Sequence, residues 1–408
     1  MCKLIEGGVC AAEGFRAAGI HVGVKTHAAW KKDVALIVSG VPCAAAAVFT
    51  KNVVKAAPIH VTKAHLADGT ARAVIANSGN ANACAPQGEE NAERMCAAAA
   101  KAVGCAPEEV LVCSTGVIGQ TLNVGVIEAG LPELYAALER SPEASDAAAH
   151  AIMTTDTVTK ELAVEAQVGG KTVHIGGIAK GSGMIHPNMG TMLCFLTTDC
   201  AISAPMLDAA LHEVVAVSFN RISVDGDTST NDTCCILANG LAGNGEIREK
   251  GDDYAAFVRA LEDICVRMAR KMAKDGEGAK HLVTCTVSGA KSEGQAEAVS
   301  KSVISSTLTK AAIFGCDANW GRVLCAMGYS GENFNPEKVD VRFRSSAGEI
   351  LVCEQGRGLA FDEGLAKTIL TEDEVEILIQ MGEGDGSCTC WGCDITYDYI
   401  KINGDYRT

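Results

Sequence analysis

Residues 161–180, ELAVEAQV followed by Gly169-Gly170 and KTVHIGGIAK, constrain the fold more than any other stretch of this chain. Apolar and polar residues alternate before the glycine pair, the period of a half-buried strand, and two adjacent glycines supply the positive φ of a tight hairpin turn. A hairpin of this kind has one apolar face that must be covered by other elements. The first 120 residues provide candidates for both partners: short apolar runs (VALIVSG, ARAVIANSGNAN, EEVLVCSTGVIG) take turns with Ala-rich stretches such as EENAERMCAAAAKAVG. That pattern marks a mixed sheet covered by helices, so the expected fold class is α+β.

Apolar spacing of three and four predicts two short helices over 131–153 and another over about 206–219. A longer helix is predicted with Phe257, Leu261, Ile264, Met268 and Met272 on one face, which puts the loop DGEG (275–278) at a helix C-terminus. HLVTCTVSG (281–289) reads as a strand. At 408 residues the chain exceeds the ~100–200 residues of a usual domain, so two lobes are expected, 1–288 and 289–408.

Composition excludes several classes of function. Hydrophobic residues make up 48% and charged residues 21%, enough for a large core and unlike a disordered chain. A net charge of -15 and scattered lysines and arginines repel a phosphate backbone, so no nucleic-acid partner is expected. The start, MCKLIEGGVC, lacks a basic segment before an apolar one, and the longest uncharged stretch, 34–50, is broken by Gly40 and Pro42. Neither a signal peptide nor a membrane span is expected. Nineteen cysteines spread through apolar runs read as reduced thiols in a cytoplasm. Cys388, Cys390 and Cys393 lack a fourth ligand, so no metal is expected there. DGDTSTND, from Asp225, resembles a calcium loop until Thr230, which stands where an EF-hand needs glycine, and reads instead as a hydrogen-bonded loop.

The chemistry concentrates around NMGTMLCFL (188–196). A threonine hydroxyl is a weak nucleophile unless a base takes its proton, and the α-amine of an N-terminal threonine is such a base. Thr191 becomes N-terminal only if the bond after Gly190 breaks; glycine, without a Cβ, leaves its carbonyl open to the neighbouring hydroxyl. A Gly-Thr step before a strand is otherwise an ordinary turn. Lys180, three glycines counting Gly190, and Pro187 stand within eleven residues of Thr191, a stretch of irregular backbone suited to shaping a site.

AKGSGMIHPNMGTML (179–193) resembles the cleavage and nucleophile motif of the ornithine acetyltransferase family of arginine biosynthesis, the ArgJ proteins, with Gly190 where alanine is usual. ANSGNANAC (76–84), STGVIG (114–119), TTDT (154–157), FNRISVDGDTSTNDT (219–233), DGEGAK (275–280), FGCDANWGR (314–322) and YIKINGDYRT (399–408) carry the likeness nearly end to end. The resemblance implies a self-processing N-terminal-threonine fold, an αββα sandwich with a smaller C-terminal α/β lobe. Cleavage between Gly190 and Thr191 yields an α chain (1–190) and a β chain (from 191), two of each per assembly. It makes Thr191 the nucleophile, and the Thr115 hydroxyl and Gly116 N–H the oxyanion donors. Substrate contacts fall on Thr154, Lys180, Thr191, Glu277, Asn403 and Thr408. The implied reaction moves acetyl from N-acetylornithine to glutamate, releasing ornithine, with no bound cofactor; acetyl-CoA stays open as a second donor. Gly404 loosens the tail that the family directs toward the substrate. Two other readings stay open: an N-terminal-threonine aminopeptidase or amidase, and a metal-binding or redox-buffering protein.

Overall fold

The computed structural model describes residues 2–26, 30–186 and 192–405. In chain order the strands are β1 (Lys3–Ile5), β2 (Phe15–Ile20), β3 (Val34–Phe49), β4 (Thr70–Asn80), β5 (Val110–Val117), β6 (Lys160–Val168), β7 (Lys171–Lys180), β8 (Leu193–Thr198), β9 (Ile222–Ser223), β10 (Thr233–Ala238), β11 (Leu282–Ala290), β12 (Asp340–Ser345), β13 (Gly348–Glu354), β14 (Arg357–Gly358), β15 (Glu374–Gln380) and β16 (Gly386–Cys393). The helices are α1 (Ala57–His65), α2 (Gly88–Val103), α3 (Val124–Ala136), α4 (Pro142–Ile152), α5 (Ala204–Val217), α6 (Asp252–Lys274), α7 (Glu293–Ser305), α8 (Thr307–Phe314), α9 (Trp320–Gly328), α10 (Glu363–Leu370) and α11 (Tyr397–Gly404).

Two mixed sheets organise these elements, so the chain is α+β. The first runs β1-β6-β7-β8-β10-β3-β4-β5, with β2 also paired to β3; the second runs β14-β13-β12-β15-β11-β16-β9. The hairpin β6–β7 forms around Gly169 and Gly170, both at positive φ, in the register Val168↔Lys171. β3 is long because its sequence stays apolar across Gly40 and Pro42. Its pairing with β4 shifts register between Val38 and Cys43, where proline cannot donate to the ladder. The strand thereby serves two halves of the sheet, pairing β2 near its start and β10 near its end.

The inner faces of those halves share one apolar layer, with Ile37, Val74 and Leu111 from one and Ile178, Phe195 and Leu237 from the other. Outside the first half, α2 and α3 cover Leu36, Ile75 and Val112. Outside the second, α5 and α6 cover Ile175, Leu196 and Ile236. This is the αββα order of layers. A separate core under the second sheet joins Val283, Phe343 and Ile377 to helices α7, α9 and α10. No helix among the described residues is long and apolar enough to cross a membrane.

Helix α3 begins at Val124, before the predicted 131, because Gly125 and Gly130 conceal its apolar spacing. Gly130 is needed for contact: a Cβ there would lie 2.3 Å from Val22 Cγ1. Gly19 plays the same part beneath α4, where a Cβ would come within 2.0 Å of the Ala147 carbonyl oxygen. Gly19→Ala therefore forces α4 off β2, and overpacking of this kind costs about 1–3 kcal/mol. A urea unfolding curve should show a lower midpoint with an unchanged slope.

Candidate active site

The site is assembled from strand ends and the loops that leave them. β5 ends in Thr115, Gly116 and Val117, and Gly116 has φ 133°, a conformation that favours glycine. A Cβ there would stand 2.3 Å from the carbonyl carbon of Gly79, its partner on parallel β4, so the two backbones approach as only glycine permits. Asn231 fixes this strand end from across the site, donating to the carbonyls of Ser114 (2.8 Å) and Ala81 (2.6 Å).

β7 ends in Lys180. Its ammonium is buried and donates to Thr115 Oγ1 at 3.4 Å, which leaves the threonine hydroxyl hydrogen for another acceptor. Burial lowers the Lys180 pKa, while Asp156 and Glu277 act to keep the charge. Asp156 is itself buried, which favours its neutral form, but Lys180, Lys160 and the Gly181 N–H outweigh that and hold the carboxyl well below the usual range.

The loop after α4 carries Thr154. Asp156 Oδ2 accepts from the Thr154 N–H at 3.0 Å, and Thr155 Oγ1 meets Ser182 Oγ at 2.7 Å, so this loop is tied to the turn that follows β7. The loop after α6 carries Glu277, whose N–H donates to the Ser182 carbonyl at 2.9 Å. A Cβ on Gly183 would lie 2.3 Å from the Glu277 carboxyl, so this glycine makes room for the acid. From α11, Asn403 Nδ2 donates to Glu277 Oε2 at 2.6 Å. Asp225 accepts from the N–H groups of Met184 and Ile185, at 2.6 and 2.9 Å, and from Tyr399 Oη at 3.3 Å.

Thr115, Gly116, Thr154, Lys180, Glu277 and Asn403 thus line one cavity of about 270 Å3, together with Thr155, Gly183, Thr230 and Asn231. Below it a recess of about 30 Å3 is bounded by Thr115, Lys180, Met192 and Asp232. Gly190, Thr191 and Thr408 lie outside the described residues; Met192 follows Thr191 directly in the chain. A larger surface groove lined by Lys51, Lys63, Asp68 and His212 holds none of these motif residues. A lysine and a carboxylate in one small cavity match the carboxylate and ammonium of an α-amino acid.

The ArgJ family model matches residues 16–408. This chain belongs to the ArgJ family. It is similar to the arginine biosynthesis bifunctional protein ArgJ of Symbiobacterium thermophilum, 50% identical over 405 residues that cover 99% of each chain. The protein of the same description from Bacillus subtilis is 46% identical over 406 residues, 99% of this chain and 97% of that one. Among solved structures, ArgJ from Bacillus halodurans is 42% identical with a TM-score of 0.49, covering 51% of this chain and 96% of that chain.

Sequence reasoning passed over Asp156, Lys160, Asn231 and Asp232. The signal available for three of them was polar residues between threonines, in TTDT, two residues before β6, and in TSTNDT, which runs into β10. Lys160 gave none, being one lysine at the start of an alternating strand. In the structure it is fully buried, with Nζ 2.6 Å from Asp156 Oδ1 and 2.5 Å from Asp275 Oδ2. Asp275 also accepts from the N–H and hydroxyl of Thr157. Lys160→Met leaves Asp275 buried without its cation and Asp156 with Lys180 alone, and should cost about 3–5 kcal/mol. Thermal unfolding near neutral pH reads this directly, and an unchanged midpoint would show that the network carries no stability.

Proposed function

We propose that this family member is a glutamate N-acetyltransferase that moves the acetyl group of N2-acetyl-L-ornithine to L-glutamate through an acetyl ester on Thr191. The chain first cuts itself between Gly190 and Thr191. One observation carries the reading: Thr115, Gly116, Thr154 and Lys180, from before that bond, line the same cavity as Glu277 and Asn403, from after it.

The Thr191 α-amine takes the hydroxyl proton as Oγ attacks the acetyl carbonyl, and the oxyanion falls to the Thr115 hydroxyl and the Gly116 N–H. Lys180 supports this by occupying a lone pair on Thr115 Oγ1. Collapse breaks the amide C–N bond, and the proton held by the amine leaves on the ornithine nitrogen. Glutamate then attacks the ester by the reverse sequence. Glu277 receives the substrate ammonium and Lys180 its carboxylate, with Thr154, Asn403 and the terminal Thr408 closing the site.

The cavity, at about 270 Å3, is on the scale of an amino acid and below the ~300–1,000 Å3 of pockets for larger ligands. In this cycle no bound cofactor takes part, and acetyl-CoA, as a second donor, presents only its thioester end. The two pieces stay together after the cut because β8 pairs with β7 and β10 with β3 across it. Two copies of each piece form the assembly. Nineteen cysteines without a disulfide suit the cytoplasm as its location.

Intact mass under denaturing conditions should show two fragments meeting at Gly190 and Thr191, and one 42.3 kDa chain for Thr191→Ala. A wild-type chain left whole removes the N-terminal base and the mechanism with it. With cut enzyme, label from N-acetylornithine should appear on glutamate; label released as acetate with glutamate present would favour the hydrolytic reading. Glu277→Gln removes a charge-assisted contact, so KM for N-acetylornithine should rise about ten- to a hundredfold.

A further inference from the structure

Asp232 is the acid in the recess that the mechanism above does not use. It is 1% exposed, and its Oδ2 has no hydrogen-bond partner among the described residues. Its place is set by the parallel pairing of β8 and β10, in which Leu193 stands opposite Thr233 and the Thr233 N–H donates to the Met192 carbonyl at 2.9 Å. Asp232 is therefore level with Met192, one residue from Thr191. Burial pushes its carboxyl well above the usual range, toward the neutral form, and Ser229, Thr50, the Met192 backbone and Lys180 only partly offset this, so the ionised form needs a further cation or donor beside it.

A buried carboxyl oxygen without a donor is unfavourable for a fold, and a donor that arrives later offsets that penalty. The cut after Gly190 creates one. An amide nitrogen with a single hydrogen becomes an amine with two, and an ammonium with three once it has taken the hydroxyl proton. We propose that Asp232 is a positioning residue for the α-amine of Thr191: its Oδ2 accepts from that nitrogen, aims the lone pair at the threonine hydroxyl and stabilises the ammonium formed during acetyl transfer. The acid gains and loses no covalent bond. The proton passes from Oγ to the amine and then to the leaving nitrogen, as before.

This inference rests on cleavage at Gly190-Thr191 and on Thr191 as nucleophile, and the wild type controls for both: an uncut or inactive wild-type chain sinks that reading independently of Asp232. In the full-length chain, Asp232→Asn keeps the size of the side chain and removes the charge. The expected protein is folded and cut, with KM for N-acetylornithine within about twofold of wild type and kcat lower by about a hundredfold or more, the scale of a proton-transfer contribution. A kcat within threefold of wild type overturns the proposal, as does a folded chain that stays uncut, which would assign Asp232 to the cleavage step. Should the asparagine variant not fold, Asp232→Glu moves the carboxylate by one methylene and should lower kcat at least tenfold with KM unchanged; wild-type turnover there also overturns it.

Discussion

The site depends on a lysine that has no access to water. Lys160 stands at the first position of β6, and its two carboxylate partners come from different parts of the chain: Asp156 from the loop that carries Thr154, Asp275 from the loop that carries Glu277. A buried ammonium is tolerable only if both stay in place. The same Asp156 accepts from the Gly181 N–H and lies beside Lys180, so the turn after β7 is drawn into the group. Three loops are thus fixed to one another before any substrate arrives, and the groups that face the cavity are held by contacts one step behind them.

The parts of this fold that could be read from sequence are those whose signal is local. The β6–β7 hairpin announces itself by period-two alternation around two glycines, and α6 by an apolar face that repeats for more than five turns. Thr115, Lys180 and Glu277 stand in runs whose odd composition marks them, and they do come together in one cavity. What stayed hidden depends on partners distant in sequence. β9 is two residues long and belongs to the second sheet only because Trp391 and Gly392 lie beside it. Lys160 looked like any strand-edge lysine, since the residue that neutralises it from the far side is Asp275. Asp232 lacked any sign of burial, because that follows from the parallel match of β10 to β8.

Glycine at the site acts mainly by what it leaves out. Gly116 allows parallel strands to approach at the oxyanion position, and Gly183 leaves volume that the Glu277 carboxylate fills. Neither effect can be had from a flexible side chain, since the atoms a Cβ would meet are backbone in the first case and a hydrogen-bonded acid in the second. The irregular GSG turn after Lys180 is thus a packing requirement of the loop from α6 as much as of its own backbone.

The position of Lys180 makes its charge serve two neighbours. Burial works against the ammonium, while Asp156, Glu277 and Asp232 work for it, with Asp156 the largest, so the loop behind the lysine helps to keep its charge. Held there, the lysine donates to Thr115 Oγ1 and so determines which way the threonine hydroxyl can point. A neutral amine at the same place could instead accept that hydroxyl hydrogen and turn it away from the cavity. The buried network around Lys160 therefore reaches the oxyanion donor through the charge interaction of Asp156 with Lys180, which links the stability of the loops to the direction of one O–H bond.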